Sequence, residues 1–150
     1  MTRIRPATPA DLEAMVRLLG VLFSIEADFR PEPDRQRRGL SRLLEDPARR
    51  MVLVAERAGT VVGMVTAQLV ISTAEGGDSG LLEDLVVEER WRGAGVGCAL
   101  LEEAERWVRA RGASRLQLLA DRGNQPALRF YARRGWSSTR MVCLRRTMAS

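Results

Sequence analysis

The chain contains no histidine and no lysine. The first absence excludes Ser-His-Asp and Cys-His catalytic units and histidine-ligated zinc. The second excludes Schiff-base chemistry and the lysine that completes a P-loop. Proton transfer near neutral pH then falls to Glu, Asp, Tyr, Cys or water. Aromatic residues make up 5% of a chain that is 45% hydrophobic, so aliphatic side chains must fill the core. Two cysteines, Cys98 and Cys143, are too few for a disulfide scaffold and read as reduced thiols of a cytoplasmic protein. No run of apolar residues is long enough to span a bilayer, and the opening Met1-Thr2-Arg3-Ile4-Arg5-Pro6 lacks the apolar segment of a signal peptide. No metal site is expected.

A length of 150 residues suits one domain, 1–150, with a sizeable core. All 24 basic side chains are arginine and face 19 acids, for a net charge of +5. A basic chain invites a nucleic-acid reading. The arginines are nevertheless scattered among acids, in pairs such as Arg37-Arg38 and Arg145-Arg146, and few aromatics are free to stack bases. The expected partners therefore include neither nucleic acid nor membrane. A homodimer stays open.

The most informative segment runs from Leu81 to Val108. Leu81-Leu82-Glu83-Asp84-Leu85-Val86-Val87 is strand-like. Val96, Leu100, Ala104, Trp107 and Val108 recur at helical spacing, with charged residues on the other faces. Between them, Arg92-Gly93-Ala94-Gly95-Val96-Gly97 turns a strand into a helix N-terminus. Its glycines let a ligand approach the backbone, and the unpaired N–H groups of the first helical turn favour an anion such as pyrophosphate. A dinucleotide fingerprint does not fit, because Cys98 or Leu100 would stand at its third glycine.

Arg92-x-x-Gly95-x-Gly97 resembles the coenzyme A pyrophosphate loop of the GCN5-related N-acetyltransferases (GNAT). A second segment, Asn124-Gln-Pro-Ala-Leu-Arg-Phe130-Tyr131-Ala-Arg-Arg-Gly135-Trp136, resembles the closing motif of the same family. It also reads locally as a short helix, with Asn124 as N-cap, Pro126 in the first turn and Gly135 as the stop. Ala127, Phe130 and Tyr131 share one face. With the opening Ile4-Arg5-Pro6-Ala7-Thr8, the resemblance covers essentially the whole chain.

The resemblance implies an α/β (α+β) fold. A mixed, mostly antiparallel central sheet carries helices on both faces, and a splayed strand pair holds acetyl-CoA. The coarse pattern β-α-α-β-β-β-α-β-α-β agrees. Strands are expected at Arg3–Arg5, Met51–Glu56, Val61–Ile71, up to Val87, at Arg115–Ala120 and within Ser138–Thr147. Helices are expected after Thr8-Pro9, at Arg35–Glu45, up to about Arg111, and after Asn124.

The implied activity is acetyl transfer from acetyl-CoA to a primary amine of a small molecule, by direct attack in a ternary complex. The peptide groups of Leu85, Val86 and Val87 would bind the pantetheine arm, and Asn124 would bond that arm or a catalytic water as well as capping its helix. Arg92, Gly93, Ala94, Gly95, Val96 and Gly97 would bind the pyrophosphate. Glu83, on a strand expected to be partly buried, is the candidate general base. Burial would raise its pKa toward a useful value. Asp84 or a water are the alternatives. Tyr131, protonated at neutral pH, is the candidate general acid for the departing thiolate. The acceptor is expected between two acid-rich loops, Phe23–Asp34 and Ser72–Ser79. An acyl-CoA sensor without turnover and a protein N-terminal acetyltransferase are the competing functions.

Overall fold

The computed structural model describes residues 1–148 and divides into two compact units, Met1–Leu118 and a second beginning at Leu119. The first unit contains β1 (Thr2–Pro6), α1 (Leu12–Ile25), α2 (Pro33–Leu43), β2 (Arg50–Arg57), β3 (Thr60–Ser72), β4 (Gly77–Val87), α3 (Val96–Ala110) and β5 (Leu116–Leu118). Its strands form one sheet in sequence order. β1 to β4 pair antiparallel, and β5 runs parallel to β4.

Local sequence explains the joints. Ala58 and Gly59 both take left-handed φ, +49° and +78°, and close the β2–β3 hairpin in two residues as a primed turn does. At the start of α1, an Asp11 oxygen accepts the Thr8 N–H at 2.8 Å. Both Asp11 oxygens also receive Arg5 from β1, at 2.8 and 2.9 Å. One buried carboxylate thus caps the helix and ties it to the sheet.

Two helical layers cover the sheet. Met15, Val16, Leu18 and Leu19 of α1 and Leu40 of α2 cluster with Val52, Val54, Met64 and Val86 of the strands. α3 buries Val96, Leu100, Leu101, Ala104 and Val108. It lies close to the sheet because Gly63 and Gly80 carry no side chain. A Cβ on Gly80 would stand 3.0 Å from Val108 and 2.8 Å from Leu116, and one on Gly63 would stand 3.1 Å from Leu100. Covered on both faces, β3 is buried continuously from Val61 to Ala67.

The loop expected at Ser72–Ser79 is a tight turn instead, because β4 already starts at Gly77. Arg49 holds both oxygens of Asp78 at 3.1 and 3.0 Å and draws the hairpin end against the strand edge. The other strands and the helices of this unit fall where the residue pattern predicts them, within a few residues at their ends.

The second unit contains α4 (Gln125–Arg133). Asn124 accepts the Ala127 N–H at 3.3 Å, a helix N-cap. At the other end Gly135 takes φ +86°. Its N–H donates to Ala132 O, and the Trp136 N–H donates to Tyr131 O. These paired bonds make a Schellman stop, which explains the Gly135-Trp136 dipeptide. The strand expected at Ser138–Thr147 does not form among the described residues, where 137–148 carry no regular structure. Strands need ladder partners, and the regular element of this unit is a helix. Among the described residues no helix is long and apolar enough to cross a membrane.

Candidate active site

After Val87 the chain makes a single 3-10 turn, Glu89–Trp91, before the glycine loop. Trp91 anchors that turn, with the Arg57 guanidinium 4.2 Å from its ring centre and that of Arg90 at 5.0 Å. Gly93 and Gly95 take φ of +79° and +84°. A Cβ at either would meet nothing within 4 Å. Glycine is needed here for the left-handed turn, and the space around it is open. The first bond into α3 runs from the Ala99 N–H to Gly95 O at 3.0 Å. The N–H groups of Val96, Gly97 and Cys98 precede it and have no acceptor within the helix. Arg92 donates from Nε to Val87 O at 3.1 Å, clipping the loop to the end of β4. The result is a cradle of backbone donors at a helix N-terminus, suited to a phosphate.

β4 is paired on its two sides to different lengths. On the β5 side the register covers Gly80 to Leu82 only. On the β3 side it continues to Val87. The Glu88 N–H donates to Val62 O, so strand alternation turns the peptide groups of Val87 away from β3. β5 ends at Leu118, so from Glu83 onward β4 has no β5 partner in this register.

At this point β4 also bulges. Met64 pairs with Val86 but Thr66 pairs with Glu83, and Asp84 takes φ +55°. An extra residue in one strand re-aims the local side chains. The Thr66 hydroxyl lies 3.1 Å from Glu83 O and 3.2 Å from Asp84 Oδ2, so it pins the bulge. The bulge decides which acid is buried. Glu83, expected to be partly buried, is exposed, and its neighbour Asp84 is the shielded one. Burial, reinforced by the negative charge of Glu83, pushes the Asp84 carboxyl up to about 6.

Both carboxylates line a cavity of about 430 Å³. Its walls come from Leu19 and Phe23 of α1, from α2, from Arg50 of β2 and from Gln68 of β3. The turn after Ser72 contributes no wall to this cavity. The loop acids are engaged locally: Glu32 with Arg35, Asp34 with Arg37, and Asp78 with Arg49. Thr66, Gln68, Arg42 and Arg50 escaped the sequence reading. Their signal is the sheet register, which sets Thr66 opposite Glu83 and Arg50 opposite Gln68.

In the second unit, Tyr131 stands on α4 with ring centres 5.3 Å from Phe130 and 5.6 Å from Trp136. Its carbonyl is fixed by the Schellman bond, so backbone and ring are both held. Asn124 uses its side-chain oxygen as the cap.

Residues 13–136 match the family model described as Acetyltransferase (GNAT) family. The chain is 32% identical over 116 residues to the aminoglycoside N(6')-acetyltransferase type 1 of Stenotrophomonas maltophilia, covering 75% of this chain and 71% of that protein. It is 31% identical over 136 residues to the aminoalkylphosphonate N-acetyltransferase of Salmonella typhimurium, covering 91% and 85%. Its fold is similar to the crystal structure of an aminoglycoside antibiotic 6'-N-acetyltransferase from Acinetobacter haemolyticus. That match has a TM-score of 0.82 and 20% identity over 99% of each chain.

Proposed function

Since the chain belongs to the GNAT acetyltransferase family and is an N-acetyltransferase, we propose that it carries the acetyl group of acetyl-CoA to a primary amine of a small molecule by direct attack in a ternary complex. Residues 1–150 act in this reading as a single catalytic domain of a cytoplasmic enzyme. The observation that carries it is the layout of β4. One strand presents two carboxylates to a cavity at Glu83-Asp84, runs on to Val87 beyond the end of its β5 register, and delivers the chain to a helix N-terminus suited to a phosphate at Gly93–Gly97.

The roles follow from charge and proton balance. Arg92, Gly93, Ala94, Gly95, Val96 and Gly97 hold the pyrophosphate. The peptide groups of Leu85, Val86 and Val87 hold the pantetheine arm, with Asn124 as a further contact. The exposed Glu83 attracts the ammonium form of the acceptor. Asp84, with a carboxyl shifted toward neutrality, takes the proton and frees the nitrogen lone pair. The nitrogen attacks the thioester carbonyl, a C–N bond forms, and the C–S bond breaks. Tyr131 gives its phenolic proton to the leaving thiolate and regains one from the new amide nitrogen through water.

The test is free-thiol release from acetyl-CoA with an amine panel, alongside calorimetry with coenzyme A. The parent should release thiol with at least one amine. Gly97→Val should lose most coenzyme A affinity, because Gly97 is already helical and the added side chain crowds the cradle without forcing an unfavourable φ. Coenzyme A binding without amine-dependent thiol release would make the chain an acyl-CoA sensor. Equal affinity in the folded variant would remove the loop from the site.

A further inference from the structure

The acceptor cavity holds charge of both signs. Glu83 and Asp84 line it from β4, Arg42 from α2 and Arg50 from the first residue of β2. Elsewhere in this unit several charged residues find each other, such as Arg5 with Asp11, Arg37 with Glu13, Arg49 with Asp78 and Arg106 with Glu103. These four do not. No ion pair joins either arginine to either carboxylate, or to any other acid among the described residues. Arg50 donates from Nη1 to the Arg42 carbonyl at 3.0 Å, which secures its stem against the end of α2 and leaves most of its donors unused.

Sheet geometry keeps the two signs apart. Arg50 pairs with Gln68, and β3 stands between β2 and β4. The acids and Arg50 are therefore two strand spacings apart, roughly 10 Å between backbones. The remaining wall is apolar, with Leu19, Phe23, Leu40 and Leu43, or neutral, with Gln36 and Gln68. An occupant with only a positive charge would satisfy the acids and leave the guanidinium groups facing its tail.

We propose that the acceptor is amphoteric: a short chain with the reacting amine at one end and an oxyanion at the other, held by Arg42 and Arg50. This rests on the N-acetyltransferase reading of the same cavity and names its substrate class. Guanidinium donors in a planar fork match a carboxylate or a phosphonate. The apolar wall suits the methylenes between the two ends. Both anions share the chemistry, so both belong in the test.

The test has a readout that needs no acetyl transfer. Calorimetry compares β-alanine and aminoethylphosphonate with propylamine, which has a similar chain and no anion, and with propionate and ethylphosphonate, which lack the amine. At least one amphoteric ligand should bind about tenfold or more tightly than both of its one-ended counterparts, as one charge-assisted contact at each end provides. Arg42→Gln should erase most of that advantage. Arg42 is exposed and forms no ion pair, so the variant should fold, and thermal denaturation checks it. Arg50→Gln should do the same, but it also removes a bond to the end of α2 and is the second variant for that reason. Propylamine binding as tightly as both amphoteric ligands, or an advantage that survives both substitutions, overturns the proposal. If amphoteric ligands win and no thiol is released with them, the acetyl-transfer reading fails and the amphoteric site stands.

Discussion

Two aspartates in one unit, Asp11 buried and Asp84 half-buried, have opposite surroundings. Asp11, at the start of α1, receives both donors of Arg5, the Thr8 N–H and the Thr8 hydroxyl. The Arg5 hydrogen bonds above all hold its carboxyl below the usual carboxylate range, against the opposing pull of burial. Asp84, in the β4 bulge, has one hydroxyl and no paired cation among the described residues, and burial pushes it up to about 6. Asp11 is placed where ionisation supports the fold. Asp84 is placed where ionisation costs stability, on a left-handed backbone that non-glycine residues seldom adopt. A half-buried acid with no cation paired to it among the described residues, at a bulge and on the wall of a cavity, is the arrangement that the proposed general base requires.

The largest effect should separate the two by activity. Asp84→Asn keeps shape and left-handed tolerance, since asparagine accepts positive φ, and its side-chain oxygen can still accept from Thr66. Loss of a general base should lower kcat/KM by roughly 10²–10⁴-fold. The parent profile should fall on the acid side with a midpoint near pH 6, because only ionised Asp84 accepts a proton. That limb should vanish in Asp84→Asn. Glu83→Gln sharpens the assignment. Its charge contributes to the raised pKa of Asp84, so its removal should move the limb to lower pH and raise KM. If instead Glu83→Gln abolishes the limb and Asp84→Asn keeps it, the base is Glu83.

Asp11→Asn should leave chemistry alone and damage the fold. Arg5 would lose its main partner while keeping Glu56 at 3.1 Å, and the first turn of α1 would lose its charged cap. Breaking a largely buried pair costs about 3–5 kcal/mol, and partial exposure of Arg5 lowers this to about 2–3 kcal/mol. Urea unfolding at neutral pH should show it as a lower midpoint with an unchanged slope. The linkage has the carboxylate sign. The contribution of Asp11 is present above its unfolded pKa and disappears as pH falls through its depressed folded value. A variant as stable as the parent would mean that the bidentate pair is worth nothing.

What the sequence disclosed and concealed follows the same division. The glycine loop and the Asn124–Trp136 helix were legible because their determinants are local: positive φ at Gly93, Gly95 and Gly135, and a cap at Asn124. Helices α1 and α3 were legible from the period of their buried residues. The partition between Glu83 and Asp84 was not, because a register shift against Thr66 decides it and no property of Leu81–Val87 announces a bulge. The cavity lined by Glu83 and Asp84 was hidden for a related reason. Loop acids such as Asp34 and Asp78 look available in sequence, but arginines three and twenty-nine positions away claim them. Arg42 and Arg50 look like ordinary surface arginines until the packing of α2 on the sheet brings them to one cavity.

The smallest effect completes the comparison, because it has the opposite sign at the two aspartates. Asp84→Asn should stabilise the protein above pH 6. A carboxyl with an ordinary value of 3.8 and a folded value of about 6 favours the fold only while protonated. Its contribution is fully present below its unfolded pKa and is lost as pH rises through about 6, so ionised Asp84 burdens the fold at pH 8. A rise from 3.8 to about 6 corresponds to ~3 kcal/mol, and water reaching the cavity should reduce the measured gain to about 1–2 kcal/mol. Urea unfolding of parent and variant at pH 8 and near pH 4 should show the gain at the higher pH and little difference at the lower. A gain of equal size at both would trace to local packing or to the unfolded chain. A loss at pH 8 would mean that ionised Asp84 has a stabilising partner, and the contrast with Asp11 would collapse.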